Sequence, residues 1–304
     1  MGIRLKIIMN PSSGREQGRL NVEEVLSYLL NLGRLERADI SYTAKRFDAR
    51  DFAMNLDESQ YDYLMAVGGD GTVNEVISGL QMGHKKIPLA IYTAGTVNDF
   101  AYSIGMPQLP SDFARMLLNP EFIKADCGKV EDCYFLNVLA GGVMTNVPYS
   151  VPSQLKTNLG PAAYWLSALK EMPTLNETMN LTFITEEKTY NVSDAMVFLI
   201  ANSRSVGGFR KLMSLAELND GLLDVLVLSK IEPGDIFPLL GRIVMGEHIM
   251  DDNVTYFQTS YVSIVNNGSK SLVLDIDGEE GPELPQCVEC IKDAVTLIVP
   301  KTEG

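Results

Sequence analysis

The spacing of apolar positions in this chain changes near residue 126. Before that point, short apolar runs alternate with stretches whose apolar residues recur every three or four positions. Arg4–Met9, Ala38–Thr43, Tyr63–Val67 and Pro88–Thr93 read as buried strands. Val22–Leu30 and Asp48–Leu56 read as helices, the second with Asp48 as its N-cap. This βαβα rhythm predicts a doubly wound, mostly parallel sheet in an α/β domain. Ligands of such sheets bind outside the carboxyl ends of the strands.

Beyond residue 126 the runs are short and separated by turn residues: Cys133–Leu139, Met179–Ile184, Ala195–Ile200, Leu222–Leu228, Tyr261–Val265 and Ser271–Asp275. Two helices interrupt them, Pro161–Met172 and Pro233–Met245. The first carries Tyr164, Trp165, Leu166 and Leu169, a stripe that reads as core or as a lipid contact. The second half is therefore expected to be a β-sandwich-like domain. The expected division is residues 1–127 and 128–290, with 291–304 and its strand Val295–Val299 able to return to the first domain.

Composition narrows the function. At 304 residues and 46% hydrophobic content, the chain has room for two real cores. A net charge of −14 argues against nucleic-acid binding through a basic surface. Anionic lipids would repel the chain as a whole, so membrane contact needs a local basic patch, for which Arg15, Arg19, Lys156 and Arg210 are candidates. No apolar run is as long as a membrane span, and the start lacks a secretion-signal pattern, so a cytoplasmic protein is expected. Cys127, Cys133, Cys287 and Cys290 read as reduced thiols rather than a zinc site.

The chemistry concentrates in glycine turns. Gly68-Gly69-Asp70-Gly71-Thr72-Val73-Asn74-Glu75 follows a predicted strand and opens a helix. That geometry offers bare backbone N–H groups to phosphate, and three glycines permit positive φ and close approach. An aspartate there suits a nucleotide only with Mg²⁺ between them. Asn10, Pro11, Ser12, Ser13 and Gly14 form a similar turn after the first strand, and Gly95-Thr96-Val97-Asn98-Asp99 follows the fourth. Later, Asp220-Gly221-Leu222 could bind a cation or close a turn. Asp277-Gly278-Glu279 gathers carboxylates after a strand, as a solvated acidic turn or around a general base. The P-loop, the protein-kinase motif set and Gly-x-Gly-x-x-Gly are absent. His84 and His248 lack the surroundings of a hydrolytic triad.

Taken in order, these motifs, with Phe100-Ala101, Asp126-Cys127-Gly128 and Phe135-Leu136-Asn137, resemble the diacylglycerol kinase catalytic-domain family of bacterial soluble lipid kinases, over nearly the whole chain. The resemblance implies a nucleotide-binding domain, a β-sandwich domain and an active site in the cleft between them. It implies ATP at Asn10, Pro11, Ser12, Ser13, Gly14, Thr43, Gly69, Asp70, Gly71, Thr72, Val73, Asn74, Glu75 and Thr96. It implies catalytic Mg²⁺ at Asp70 with Asp99 and Asp126 close by, and a structural Mg²⁺ at Asp220 with the carbonyls of Glu217 and Leu222. Glu279 matches the family's proton acceptor, with Asp277 in support. Diacylglycerol is the first-choice acceptor, at the inner membrane face, and a homodimer is expected. Phosphatidylglycerol or a sphingoid base, more distantly NAD, and a non-catalytic nucleotide sensor are the alternatives. Tyr102 stands where relatives often carry a basic residue, which weakens one candidate contact with phosphate or membrane.

Overall fold

The computed structural model describes residues 2–13, 16–93, 98–142, 177–232 and 234–301. By its contacts the chain forms two units, Met1–Ala125 with Asp293–Gly304, and Asp126–Lys292.

In the first unit the elements run β1 (Ile3–Met9), α1 (Glu16–Asn31), β2 (Leu35–Tyr42), α2 (Asp48–Met54), β3 (Tyr63–Gly68), α3 (Asp70–Met82), β4 (Leu89–Thr93), α4 (Asp99–Ser103) and α5 (Pro110–Leu118). The strands order as β2-β1-β3-β4, all parallel. Their near-continuous apolar runs follow from burial on both sheet faces. Leu5, Ile7, Ile8 and Met9 of β1, Leu64 to Val67 of β3 and Leu89 to Tyr92 of β4 are all buried. Right-handed crossovers send α1 to one face and α2 and α3 to the other. Accordingly α1 packs on α5, and α2 on α3. The α2–α3 approach depends on Gly79, where a Cβ would strike the Arg50 carbonyl and come within 2.8 Å of the Ala53 Cβ.

Strand β5 (Glu121–Val130) leads out of the first unit. In the second unit follow β6 (Cys133–Phe135), β7 (Val138–Gly142), β8 (Met179–Thr185), β9 (Thr189–Ala201), β10 (Leu223–Ser229), α6 (Ile236–Met245), β11 (Val254–Thr259), β12 (Tyr261–Asn266), β13 (Val273–Ile276), β14 (Glu279–Glu283) and β15 (Gln286–Val299). The long β9 serves two groups of antiparallel strands. Its second half pairs with β7 and β10, and its first half with β8, which continues to β12 and β15. Phe183 meets Phe198 edge-on at 5.4 Å and Phe257 at 6.1 Å, and Tyr190 stacks on Phe257 at 4.0 Å. These rings anchor the apolar core of the unit, with Phe135, Leu181, Val225, Val262 and Val288. The end of β15 returns to the first unit, where Leu297 pairs in parallel with Leu89 of β4.

Three expectations need correction. Cys133–Leu139 is two strands, because the chain breaks at Leu136 and Asn137 to bury a polar side chain. Asp48 is the first residue of α2 rather than its cap, and Phe47 holds the cap position. Strands β5 and β14 and helix α5 are not read from the sequence, since charged and turn residues interrupt their apolar positions, and neither is β11, although it carries no such interruption. The helix expected over 161–172 lies outside the described residues.

Candidate active site

The connection after β1 runs to β2 on one side and that after β3 to β4 on the other, so the carboxyl edge between β1 and β3 is the switch point where ligands of such sheets bind. Backbone bonds draw the loops of that edge together. The Asn10 N–H donates to the Val67 carbonyl at 2.9 Å, and the Thr43 N–H to the Met9 carbonyl at 2.9 Å. Asn10 Nδ2 donates to Thr72 Oγ1 at 3.2 Å, while Asn10 Oδ1 accepts the Ser12 N–H at 2.9 Å. Asn10, Ser12, Thr43 and Thr72 thus share one edge. Pro11 and Ser13 belong to the same turn. Gly14 and Thr96 lie outside the described residues.

The glycines of the next loop act through size rather than through handedness. Gly69 has φ −90°, and positive φ occurs at none of Gly68, Gly69 and Gly71. This corrects the expectation of left-handed backbone there. A Cβ on Gly68 would collide with the Thr72 side chain, so glycine lets α3 begin directly at the end of β3.

Asp70 is the first residue of α3, and its side chain does not cap that helix. Its half-buried carboxylate instead accepts the backbone amides of Asp99, Phe100 and Asn98 at the start of α4. Asn98 adopts the left-handed region, φ 54°, to make this turn. Burial, and then the charge of Asp99, push Asp70 up to about 6, while the amides pull it back. Asp99 is itself only 6% exposed. Two carboxylates crowded in this way favour a shared proton or a bound cation. Their hard oxygens fit Mg²⁺.

On α3, Val73 is buried in the core. Asn74 keeps a buried Oδ1 with no hydrogen-bond partner among the described residues, an acceptor open to a ligand donor. Both oxygens of Glu75 are already used, accepting the N–H groups of Phe47 at 2.9 Å and Ala49 at 3.1 Å. Glu75 therefore holds the start of α2 against α3.

The second unit carries its own polar network. Asp126 is fully buried. Its Oδ2 accepts the Gly221 N–H at 2.7 Å, and its N–H donates to the Leu218 carbonyl at 2.7 Å. Those bonds fix the loop of Asp220, whose Oδ1 accepts the Leu222 N–H at 2.9 Å. Gly221, with φ 82°, supplies the left-handed residue of that turn. Asn202 Nδ2 donates to the Asp126 carbonyl at 2.7 Å, and Ser203 Oγ donates to Asn137 Oδ1 at 2.6 Å.

The network reaches the late acidic motif. Asp277 Oδ1 accepts the Val138 N–H at 2.7 Å and Oδ2 the Leu136 N–H at 3.4 Å. Asp277 and Gly278 both have positive φ, 51° and 87°, between paired residues Ile276 and Glu279. This is the two-residue hairpin turn whose twist matches its strands. Glu279, the first residue of β14, is held half-buried just after it. Asp277 thus clamps the hairpin to the β6–β7 connection.

Asn202, Ser203 and Asp224 were not among the expected site residues. Their only signal is polarity beside an apolar strand. Asp224 is fully buried and accepts from the Tyr256 hydroxyl and from Gln258 Nε2 at 3.2 Å, yet its Oδ2 has no partner among the described residues. Burial pushes it up to about 6. Glu217 is exposed. Among the described residues no group of three or more His, Cys, Asp or Glu side chains is placed to hold a metal ion. Burial pushes the Cys127 and Cys290 thiols up to about 12, which leaves them unreactive.

Residues 4–130 match the diacylglycerol kinase catalytic domain, and residues 138–299 match the YegS C-terminal NAD kinase beta sandwich-like domain. The chain belongs to the diacylglycerol kinase catalytic-domain family. It is 33% identical over 304 residues to a diacylglycerol kinase of Bacillus subtilis (strain 168), covering 99% of this chain and 98% of that protein. It is 30% identical to a diacylglycerol kinase of Staphylococcus saprophyticus, covering 98% and 95%. A solved diacylglycerol kinase from Bacillus anthracis str. Sterne shares the fold, with a TM-score of 0.76 at 21% identity over 97% of this chain and 96% of that one. A second structure from that organism superposes at 0.81 with 24% identity. Membership of the family makes this chain an ATP-using lipid kinase, a phosphotransferase with an alcohol as acceptor. No helix among the described residues is long and apolar enough to cross a membrane.

Proposed function

We propose that this kinase transfers the γ-phosphate of ATP to the free hydroxyl of diacylglycerol, giving phosphatidic acid, from the cytoplasm at the inner membrane face and as a homodimer. The observation that carries the ATP site is the edge where Asn10, Thr43 and Thr72 meet beside the Asp70–Asp99 pair. In this reading Asn10, Pro11, Ser12, Ser13, Gly14, Thr43, residues 69–75 and Thr96 hold the nucleotide. Glu75 does so indirectly, by fixing the loop that follows Thr43.

Asp70 and Asp99 would hold the catalytic Mg²⁺, while Asp126 orders the Asp220 loop of the second unit. Bound there, the metal would neutralise charge on the phosphates. Asp220, with the carbonyls of Glu217 and Leu222, would hold a second, structural Mg²⁺. Glu279 takes the proton of the lipid hydroxyl as its oxygen bonds to the γ-phosphorus. The bond to the bridging oxygen breaks, ADP leaves, and the proton passes from Glu279 to water. Asp277 keeps Glu279 in register by clamping the hairpin.

The test is transfer of labelled γ-phosphate to diacylglycerol, phosphatidylglycerol, a sphingoid base and NAD, with and without Mg²⁺. Label is expected in diacylglycerol alone, and Glu279→Gln should abolish it while ATP binding stays near wild type. Label in another acceptor overturns the substrate, and surviving turnover in Glu279→Gln removes that residue as the base.

A further inference from the structure

The loop between β2 and α2 contains a residue that ordinary packing does not explain. Phe47 has φ 69° and ψ 1°, a left-handed conformation that is strained for a bulky side chain. Glycine would take this position without cost. The backbone of the loop is already held by other groups. Asp48 Oδ2 accepts the amides of Ala44 at 2.8 Å and Lys45 at 3.0 Å, and Glu75 accepts those of Phe47 and Ala49. Nor does the ring serve a core, since Phe47 is 39% exposed.

What the ring does touch is cationic. The guanidinium carbon of Arg46 lies 4.7 Å from its centroid and that of Arg50 lies 4.5 Å away. Arg50 is in turn held by Asp51 at 2.9 Å. These three side chains form a π-stack in which Asp51 compensates the charge of Arg50 and Arg46 supplies the other cation. It stands four residues beyond Thr43, at the edge shared with Asn10 and Thr72, and Glu75 ties it to the helix that follows the glycine loop. A strained residue held in place by its surroundings, without a packing role, points to function. A flat, polarisable surface of this charge suits a heteroaromatic base attached to phosphates.

We propose that Phe47, with Arg46 and Arg50 on its ring, is the base-recognition element of the nucleotide site and favours purine over pyrimidine nucleotides. Because the two guanidiniums overlie the ring, the base stacks on the outer face of a guanidinium that Phe47 holds flat, where the larger purine gains more area, while the triphosphate is held elsewhere. The inference rests on the reading of residues 10–14, 43 and 69–75 as the ATP site.

Calorimetric binding of ATP, CTP and inorganic tripolyphosphate, each with Mg²⁺, tests this on the wild-type chain, Phe47→Gly and Phe47→Leu. Phe47→Gly relieves the backbone and should raise Tm, yet weaken ATP about tenfold. CTP should weaken less, and tripolyphosphate should bind as before. Phe47→Leu keeps apolar bulk and should lose ATP affinity as well. Unchanged ATP affinity in both variants, with lipid phosphorylation intact, overturns the role of Phe47 and leaves the kinase reading standing. Wild-type protein that binds tripolyphosphate and ATP equally removes base recognition altogether, and wild-type protein that binds neither removes the nucleotide site with it. Unchanged ATP affinity with lost sedimentation on phosphatidylglycerol vesicles would assign the loop to the bilayer instead.

Discussion

Asp70 shows how much of a residue's role is set by what its neighbours do with their amides. Its own helix receives no cap from it. Instead the carboxylate accepts three N–H groups near Asp99, and burial beside that second acid raises it to about 6. A neutral side chain of the same shape keeps the acceptor oxygen and removes the charge a divalent ion needs. Asp70→Asn should therefore fold normally by circular dichroism and lose Mg²⁺-dependent phosphate transfer. Full activity in that variant would sink the metal assignment. Glycines carry a related lesson. Gly128 pairs across β5–β6 with Phe135, and a Cβ there would enter the ring. Gly141 faces Phe198 in the same way. In the Asp126-Cys127-Gly128 motif, the glycine makes room for an aromatic ring.

Among the elements, α6 depends on a buried histidine at its far end. Ile243 and Leu240 of α6 pack on Met213, Leu212 and Leu226, and His248 follows in a short 3-10 turn, 1% exposed. His248 Nε2 lies 2.7 Å from the Leu212 carbonyl, so that nitrogen carries the proton of the neutral ring. Burial lowers its pKa below 6.5, opposed by the carbonyls of Leu212 and Arg242 and by Asp251. A lowered value means that the unfolded chain takes up the proton first as pH falls. The stability due to a neutral His248 is complete above pH 6.5 and is lost as pH drops toward the folded value. The Tm of the wild-type chain should accordingly fall more steeply below pH 6.5 than that of His248→Gln. Parallel slopes in the two proteins would show that His248 does not titrate in this range. The β13–β14 hairpin makes the complementary point, since Asp277 and Gly278 supply both positive φ angles its tight turn demands.

For the molecule as a whole, charge is the property that must be reconciled with a lipid substrate. A net charge of −14 opposes approach to an anionic bilayer. The repulsion acts over a Debye length of about 10 Å at 0.1 M salt. Sedimentation with phosphatidylglycerol vesicles should therefore rise when salt is raised from low to about 0.1 M. A fall over that range would show that a local basic patch dominates. The sequence by itself determined the parallel α/β half, because strands buried on both faces must read as continuous apolar runs. It also marked the glycine and acidic turns, where breaker residues cluster after apolar runs, although not the backbone shape at Gly68, Gly69 and Gly71. Strands such as β5 and β14 were not legible, since charged and turn residues interrupt their apolar positions. Only the tertiary structure decided what each polar side chain faces. Glu75 spends its carboxylate on the start of α2, Asp277 on the β6–β7 connection, and Asp126 on the Asp220 loop. Each of those partners is at least twenty-six residues away in sequence. Hydrogen bonds over such separations depend on how strands and helices are stacked, which no local pattern records.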